Sequence, residues 1–481
     1  MTARPLRFAD LALYAVATSF SIRWIATAAA AGPASLPLWL LAAAGFMAPL
    51  VIATAELTCR FAGDGGIYAW TRETLGPFAG FVCGWLYWTC NLPFFSGLLY
   101  FIVNVLAEAA GPGAVNLVKD PVVFATLAAV LAATIGALQL LGLGTGKWLV
   151  NFGAMATCAL LAVVIAAAGA LALAHGSATD FARAPYAPPL DANGAALWAT
   201  MMFAFGGPEA LAFLRGDVKG GTRQILRVLA AVGVMQTAAF MAGTVAMLTI
   251  LRPDEASRLG GVPDALRLSL SRLGLGGLAP ATLILLALGF LGSYSAWFGV
   301  AARLPFAIGV DRYLPAAFGR RSARTGAPTT AILVQTVAVI VLVALSQAGA
   351  SVRAAYDFLV SMGVLSYTIP FVFLFVVYLI VQGRPAPADA WTAPGGAGVA
   401  RIIGAVGLVV TLSAIACTLV PSPDADDKLA AVVKLVVASG LLILAGAAIY
   451  AFASLRRRGG RGAGSLAPPP DAGRGRDDGG L

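Results

Sequence analysis

The chain has 481 residues, of which 59% are hydrophobic and 11% charged, with a mean hydropathy of +0.86 and a formal net charge of +10. About a quarter of the residues of a soluble domain are charged, so a string of soluble domains is excluded and a polytopic helical membrane protein is expected. The positive charge reads as an orientation signal rather than a nucleic-acid footprint, because it forms no single stripe with interleaved aromatics.

Apolar runs place twelve spans in chain order, near 9–31, 36–59, 78–110, 122–143, 147–174, 193–214, 225–251, 278–310, 326–347, 354–382, 399–420 and 430–454. The first carries Arg4 and Arg7 ahead of it and ATAAAAG at 26–32, which superficially resembles a signal peptide. Arg23 interrupts that stretch and eleven spans follow, so it is expected to stay as the first membrane helix. A central Arg costs about 2.5–3.5 kcal/mol on insertion scales and Arg23 is too deep to reach the interface easily.

The sixth span contains FAFGGPEALAF at 203–213. Pro208 removes an N–H and clashes with the turn before it, and Gly206 and Gly207 loosen the same point. Backbone groups freed in a membrane are tolerated where they line a cavity or meet a ligand; the alternative is a plain proline kink packed against its neighbours. Glu209 tilts the balance, because an ionisable group inside a span reads as functional by default. Arg23 and Glu209 are central charges of opposite sign, each in the opening helix of a five-helix half, and are expected to face one cavity. The alternative is a structural ion pair.

Other function classes find little support. There is one histidine, His175, and the five cysteines (Cys59, Cys83, Cys90, Cys158, Cys417) show no CxxC spacing, so no metal site, cofactor site or Cys/His catalytic pair is expected. A Walker motif and a nucleophile elbow are also missing, which speaks against an ATP-driven pump and a membrane enzyme. Polar residues cluster at two helix breaks rather than along a pore, which speaks against a channel.

With the N-terminus in the cytoplasm, 22 Lys and Arg lie inside and nine outside, Arg23 being within the membrane. Both termini are then cytoplasmic, as are the loops 60–77, 215–224 and 311–325. Residues 455–481, RRR-led and rich in Gly and Pro, are expected to be a disordered cytoplasmic tail anchored near anionic lipid.

Three stretches carry a family resemblance. AELTCRFAGDGGIYAWTRETLGPFAGFVCGWLYW (55–88), FAFGGPEALAFLRGDVKGGTRQILR (203–227) and ARLPFAIGVDRYLPAAFGRRSARTGAPTTAI (302–332) resemble, in order, helices two and three, six, and eight to nine of the amino acid–polyamine–organocation (APC) superfamily of permeases. The resemblance implies an all-α, twelve-helix transporter over 1–454. Its LeuT-type five-plus-five inverted repeat would comprise 9–174 and 193–382, with two extra helices in 399–454. It implies a bacterial inner-membrane protein moving amino acids or related amines by alternating access. The alternatives are a solute sensor and a polyamine or organic-cation exchanger. It leaves room for coupling to a proton or sodium ion, an exchanged solute, and a homodimer.

Carried over residue by residue, the resemblance places substrate at Ser21, Ile22 and Arg23, at Phe205, Gly206, Gly207 and Glu209, at Asn91 with Tyr87, and at Tyr294. Ser293, Ser295 and Thr157 become ion-site candidates. Ordinary interhelical hydrogen bonding is the alternative for the residues of helices three and eight. Many relatives bind the substrate carboxylate at a glycine-rich break in helix one; SIRWIA here has no glycine, so Arg23 either takes the carboxylate or is locked to Glu209. Some proton-coupled relatives have a lysine in helix five, where Thr157 stands here. Glu56 and Arg60, at the inner end of the second helix, are expected to be gate or packing contacts.

Overall fold

A computed structural model describes residues 6–61, 65–219, 221–256, 261–347, 352–421 and 427–462. The expected first span is two helices, α1 (Phe8–Ser19) and α2 (Arg23–Ala30). The second is α3 (Ser35–Ala42) and α4 (Ala48–Arg60), joined by a π-helical turn at Ala43–Met47. A short α5 (Gly66–Leu75) leads to the third, α6 (Pro77–Thr89) and α7 (Asn91–Ala110). After α8 (Pro112–Leu117) come α9 (Pro121–Leu140) and α10 (Leu143–His175). Next are α11 (Ala192–Ala204) and a 3-10 helix, Pro208–Asp217. The chain continues with α12 (Gly221–Ile250), α13 (Gly261–Arg272), α14 (Ala279–Ala301), α15 (Arg303–Val310), α16 (Thr329–Ser346) and α17 (Val352–Val381). Last come α18 (Gly396–Thr418) and α19 (Lys428–Gly462).

Local chemistry sets several helix starts. Asp120 accepts from the amides of Val122 and Val123 ahead of Pro121, and Asp191 accepts from Gly194, so each satisfies amides that a first turn leaves open. Among the described residues, ten spans are long and apolar enough to cross a membrane. Thr329–Leu345 and Leu365–Val381 are shorter apolar helices at the ninth and tenth expected positions. The helix α19 runs seven residues past the expected start of the tail, to Gly462, and 463–481 lie outside the described residues.

Burial separates centre from rim. The most apolar window of the first span is 78% buried and that of the sixth 83%, against 28% and 18% for α18 and α19. The two broken spans, with the third span at 78%, therefore form the middle of the bundle, and the last two helices lie outside it. Beside them α10 and α14 approach backbone to backbone. A Cβ on Gly153 would come within 2.5 Å of the Gly292 Cα, so only glycine permits this spacing.

Candidate functional site

The first break spans Phe20, Ser21 and Ile22 and contains neither Gly nor Pro. Side chains from elsewhere satisfy the last carbonyls of α1, just before it. Trp297 Nε1 on α14 donates to Thr18 O at 2.8 Å, and Gln236 on α12 donates to Ser19 O. Tyr14 Oη donates to Ala296 O at 2.6 Å, fixing α1 against α14.

The second break lies against the first. Gly207 has φ of +125°, and a Cβ there would sit 2.4 Å from Thr18 O. A Cβ on Gly206 would sit 2.6 Å from the Tyr367 ring. Glycine is thus required twice, for conformation and for close approach. Glu209 is 1% exposed. Its carboxylate accepts from Tyr87 Oη at 2.7 Å, from Tyr367 Oη, and from the Gly207 N–H at 2.8 Å. Three converging donors match a group that only accepts.

Arg23 is also buried, at 2% exposure. Its guanidinium lies 4.1 Å from the Trp24 ring centroid, 5.2 Å from Phe94 and 5.7 Å from Phe101, an aromatic bed that suits a cation. Among the described residues no ion pair joins Arg23 to Glu209, whose partners above are two phenols and an amide.

Between the breaks lies a cavity of about 40 Å³. Of the substrate residues expected from sequence, Ser21, Asn91 and Gly206 line it, as does Ser293. The others sit around it. Phe205 packs edge-on to Trp39 and Phe240, and Gly207 abuts Thr18. Glu209 lies behind Tyr367 and Tyr87, and Tyr294 stacks on Phe298. Arg23 rests on the rings named above. Ile22, Thr157 and Ser293 meet at a second, smaller cavity beside Phe20 and Ser21. Ser295 is held elsewhere, its Oγ accepting from Gln139 Nε2 at 2.9 Å, so the three expected ion-site residues do not form one cluster. Asn91 Nδ2 donates to Tyr87 O at 2.6 Å, which orients it.

Most of the wall was not foreseen from sequence. Phe20, Trp24, Phe94, Phe203, Trp297 and Tyr367 supply it, together with Ser19, whose buried Oγ has no hydrogen-bond partner among the described residues. Phe20, Trp24 and Phe203 lie in or within two residues of the breaks, which is a usable signal. The other three are aromatics inside apolar runs and carry none.

Gly65 to Glu73, Gly216 and Asp217, and Asp311 with Arg321 to Pro328 converge around a vestibule of about 620 Å³. Arg303 pairs with Asp217 at 2.6 Å, and Arg72 and Tyr68 both donate to Asp311 across its wall. Burial, and then the Asp311 carboxylate, push the Tyr68 phenol upward, which keeps it a donor.

Comparison with known proteins agrees with this architecture. A family model described as amino acid permease matches residues 6–428. An uncharacterized transporter of Legionella pneumophila is 24% identical over 85% of this chain and 88% of its own length. A probable agmatine/putrescine antiporter, AguD of Lactococcus lactis, is 21% identical over 51% of this chain and 52% of its own. The crystal structure of MhsT in complex with L-phenylalanine superposes with a TM-score of 0.58 at 15% identity, covering 85% of this chain and 97% of that one. At that identity the likeness is one of fold, the LeuT-type fold. The chain, an integral membrane transporter rather than an enzyme, belongs to the amino acid permease family within the APC superfamily.

Proposed function

We propose that the protein is a secondary active transporter that carries an amino acid, or a closely related amine, by alternating access across the bacterial inner membrane. The observation that carries this reading is the cavity where both broken helices meet. The N-terminus of α2 opens at Ile22 beside it and the C-terminus of α11 ends at Ala204 on its wall. A half-helix N-terminus attracts a carboxylate and a half-helix C-terminus an ammonium. An α-amino acid carries both groups on one carbon, a few ångströms apart. Around these two poles the aromatic wall offers rings to an apolar or cationic side chain. Arg23, on its bed of rings one residue beyond Ile22, adds positive potential on the carboxylate side. Glu209 would hold the loosened sixth span in shape rather than touch solute.

Counterflow in proteoliposomes tests the proposal. Vesicles loaded with one unlabelled solute at a time, from the common L-amino acids, agmatine and putrescine, are given the labelled counterpart outside. Accumulation of a labelled amino acid is expected. Thermal stabilisation by a solute without counterflow would mean a sensor. Accumulation of agmatine or putrescine but of no amino acid would mean an amine exchanger.

A further inference from the structure

The helix α12 contributes one stripe to both breaks. Gln236, Phe240 and Thr244 are four residues apart, so they share a face. Gln236 is fully buried, and its Nε2 donates both to Ser19 O and to Ala204 O, the latter at 2.9 Å. These are the last residues of α1 and of α11. Phe240 packs on the residue that follows each, Phe20 at 5.2 Å and Phe205 at 5.4 Å between ring centroids. Thr244 Oγ1 accepts from Trp39 Nε1 at 3.0 Å, and Trp39 stacks on Phe240 at 4.3 Å. The two breaks are thus met in the same way by one helix.

Carbonyls at the C-terminal ends of two half-helices carry the negative ends of both dipoles. Brought together inside a membrane they make a seat for a cation. In this chain an uncharged NH₂ group occupies it from the α12 side, away from the cavity, whose lining includes Ala204 but not Gln236. We infer that Gln236 is a positioning residue that fills this seat with its own amide, so that the paired breaks are held together without a metal ion or proton there. This goes beyond the transport reading and rests on it only for the arm that measures uptake.

The consequence is that Gln236→Glu should create a demand for positive charge. A carboxylate facing two carbonyls has nothing to donate and must recruit a cation or a proton. The first measurement is the melting temperature of the purified full-length protein at pH 8 in sodium chloride, potassium chloride and choline chloride, and again at pH 6. Gln236→Glu is expected to melt below the parent in choline at pH 8 and to recover toward it with Na⁺, K⁺ or acid. A response of the variant to cation and pH equal to that of the parent overturns the inference. A second variant, Gln236→Ala, opens the seat without adding charge. It is expected to melt lower than the parent and to gain more from Na⁺ or K⁺ than the parent does; an equal gain also overturns the inference. If Gln236→Glu does not fold, the alanine variant decides.

These melts need no substrate, so they stand even if no solute is transported. Where counterflow has identified a solute, its uptake by Gln236→Glu in choline should fall by about tenfold, the scale of leaving a buried carbonyl without its donor. Uptake should recover in Na⁺ or K⁺. A purely structural role would lower uptake equally in all three salts, and that result would overturn the inference.

Discussion

Removing one acceptor from Glu209 tests how the sixth span is held open. One carboxylate oxygen takes both tyrosine hydroxyls and the other takes the Gly207 amide at 2.8 Å. Glu209→Gln keeps an oxygen for one side and turns an NH₂ group to the other. With the oxygen left on the tyrosines, the Gly207 N–H faces a donor and is buried without a partner. Such a group costs about 1–3 kcal/mol, which corresponds to roughly 5- to 140-fold in an equilibrium constant. The cost falls on the Gly206–Gly207 backbone, and Gly206 is part of the cavity wall. It should therefore raise the KM for the transported solute by a factor within that range and lower the melting temperature. Uptake kinetics in proteoliposomes and a melt of the purified variant read the two effects. Glu209→Asp keeps both acceptors but is one methylene short and should fall between. A Glu209→Gln variant with the KM and melting temperature of the parent would refute the claim that all three donors are needed.

Further expectations follow from other contacts. Glu56 is fully buried, pairs with Arg60 at 2.8 Å, and accepts from Tyr378, Gln382 and the Ala393 amide. Glu56→Ala should cost about 3–5 kcal/mol, as for other broken buried pairs, and a melt matching the parent would contradict this. Gly207→Ala should abolish uptake, because a Cβ would strike Thr18 O, whereas Gly221→Ala, at φ +58° with open space around it, should lose little beyond backbone strain. Equal activity of the two would show the breaks to be less tightly apposed than described. Trp297→Phe removes the donor to Thr18 O and should weaken solute binding by about 1–3 kcal/mol, measured by competition. A single cysteine at Arg324, in a chain with its five native cysteines changed to serine, should react with an impermeant thiol reagent only from the cytoplasmic side; labelling from outside would invert the orientation.

The spans were legible because twenty apolar residues in a row have few other uses, and the sixth break because Gly206, Gly207 and Pro208 are the residues that interrupt helices. The first break left a weaker trace: Arg23 marked its place, but no residue in SIRWIA breaks a helix by itself. Tertiary donors from Trp297 and Gln236 stabilise that break, and a sequence does not show which distant side chain will reach a carbonyl. The aromatic wall was illegible for a related reason, since Phe94 or Trp297 in an apolar run reads equally as core, lipid contact or cavity. Gln236 did leave a signal, an amide in the middle of an apolar stretch, but a weaker one than the charges of Arg23 and Glu209. Both charges are buried where the pattern put them, but their neighbours are rings, phenols and an amide rather than each other. The polar network around Glu56 reaches from α4 to Ala393 beyond α17, a closure that only the folded chain brings about.

That network also divides α17 into unequal parts. Tyr378 and Gln382, beyond the internal Pro370, are hydrogen-bonded to Glu56, and Arg60 donates to the carbonyls of Val381 and Arg384. The stretch after Pro370 is in effect bolted to α4. Tyr367, one turn before the proline, instead touches the cavity and Glu209. A helix clamped along one arm and interrupted by a proline is a lever hinged at that proline, and its other arm carries Tyr367 with its bond to Glu209. If the transport reading proposed above holds, a covalent cross-link between α4 and the stretch after Pro370 should leave uptake unchanged, whereas one between the stretch before it and a neighbouring helix should reduce uptake.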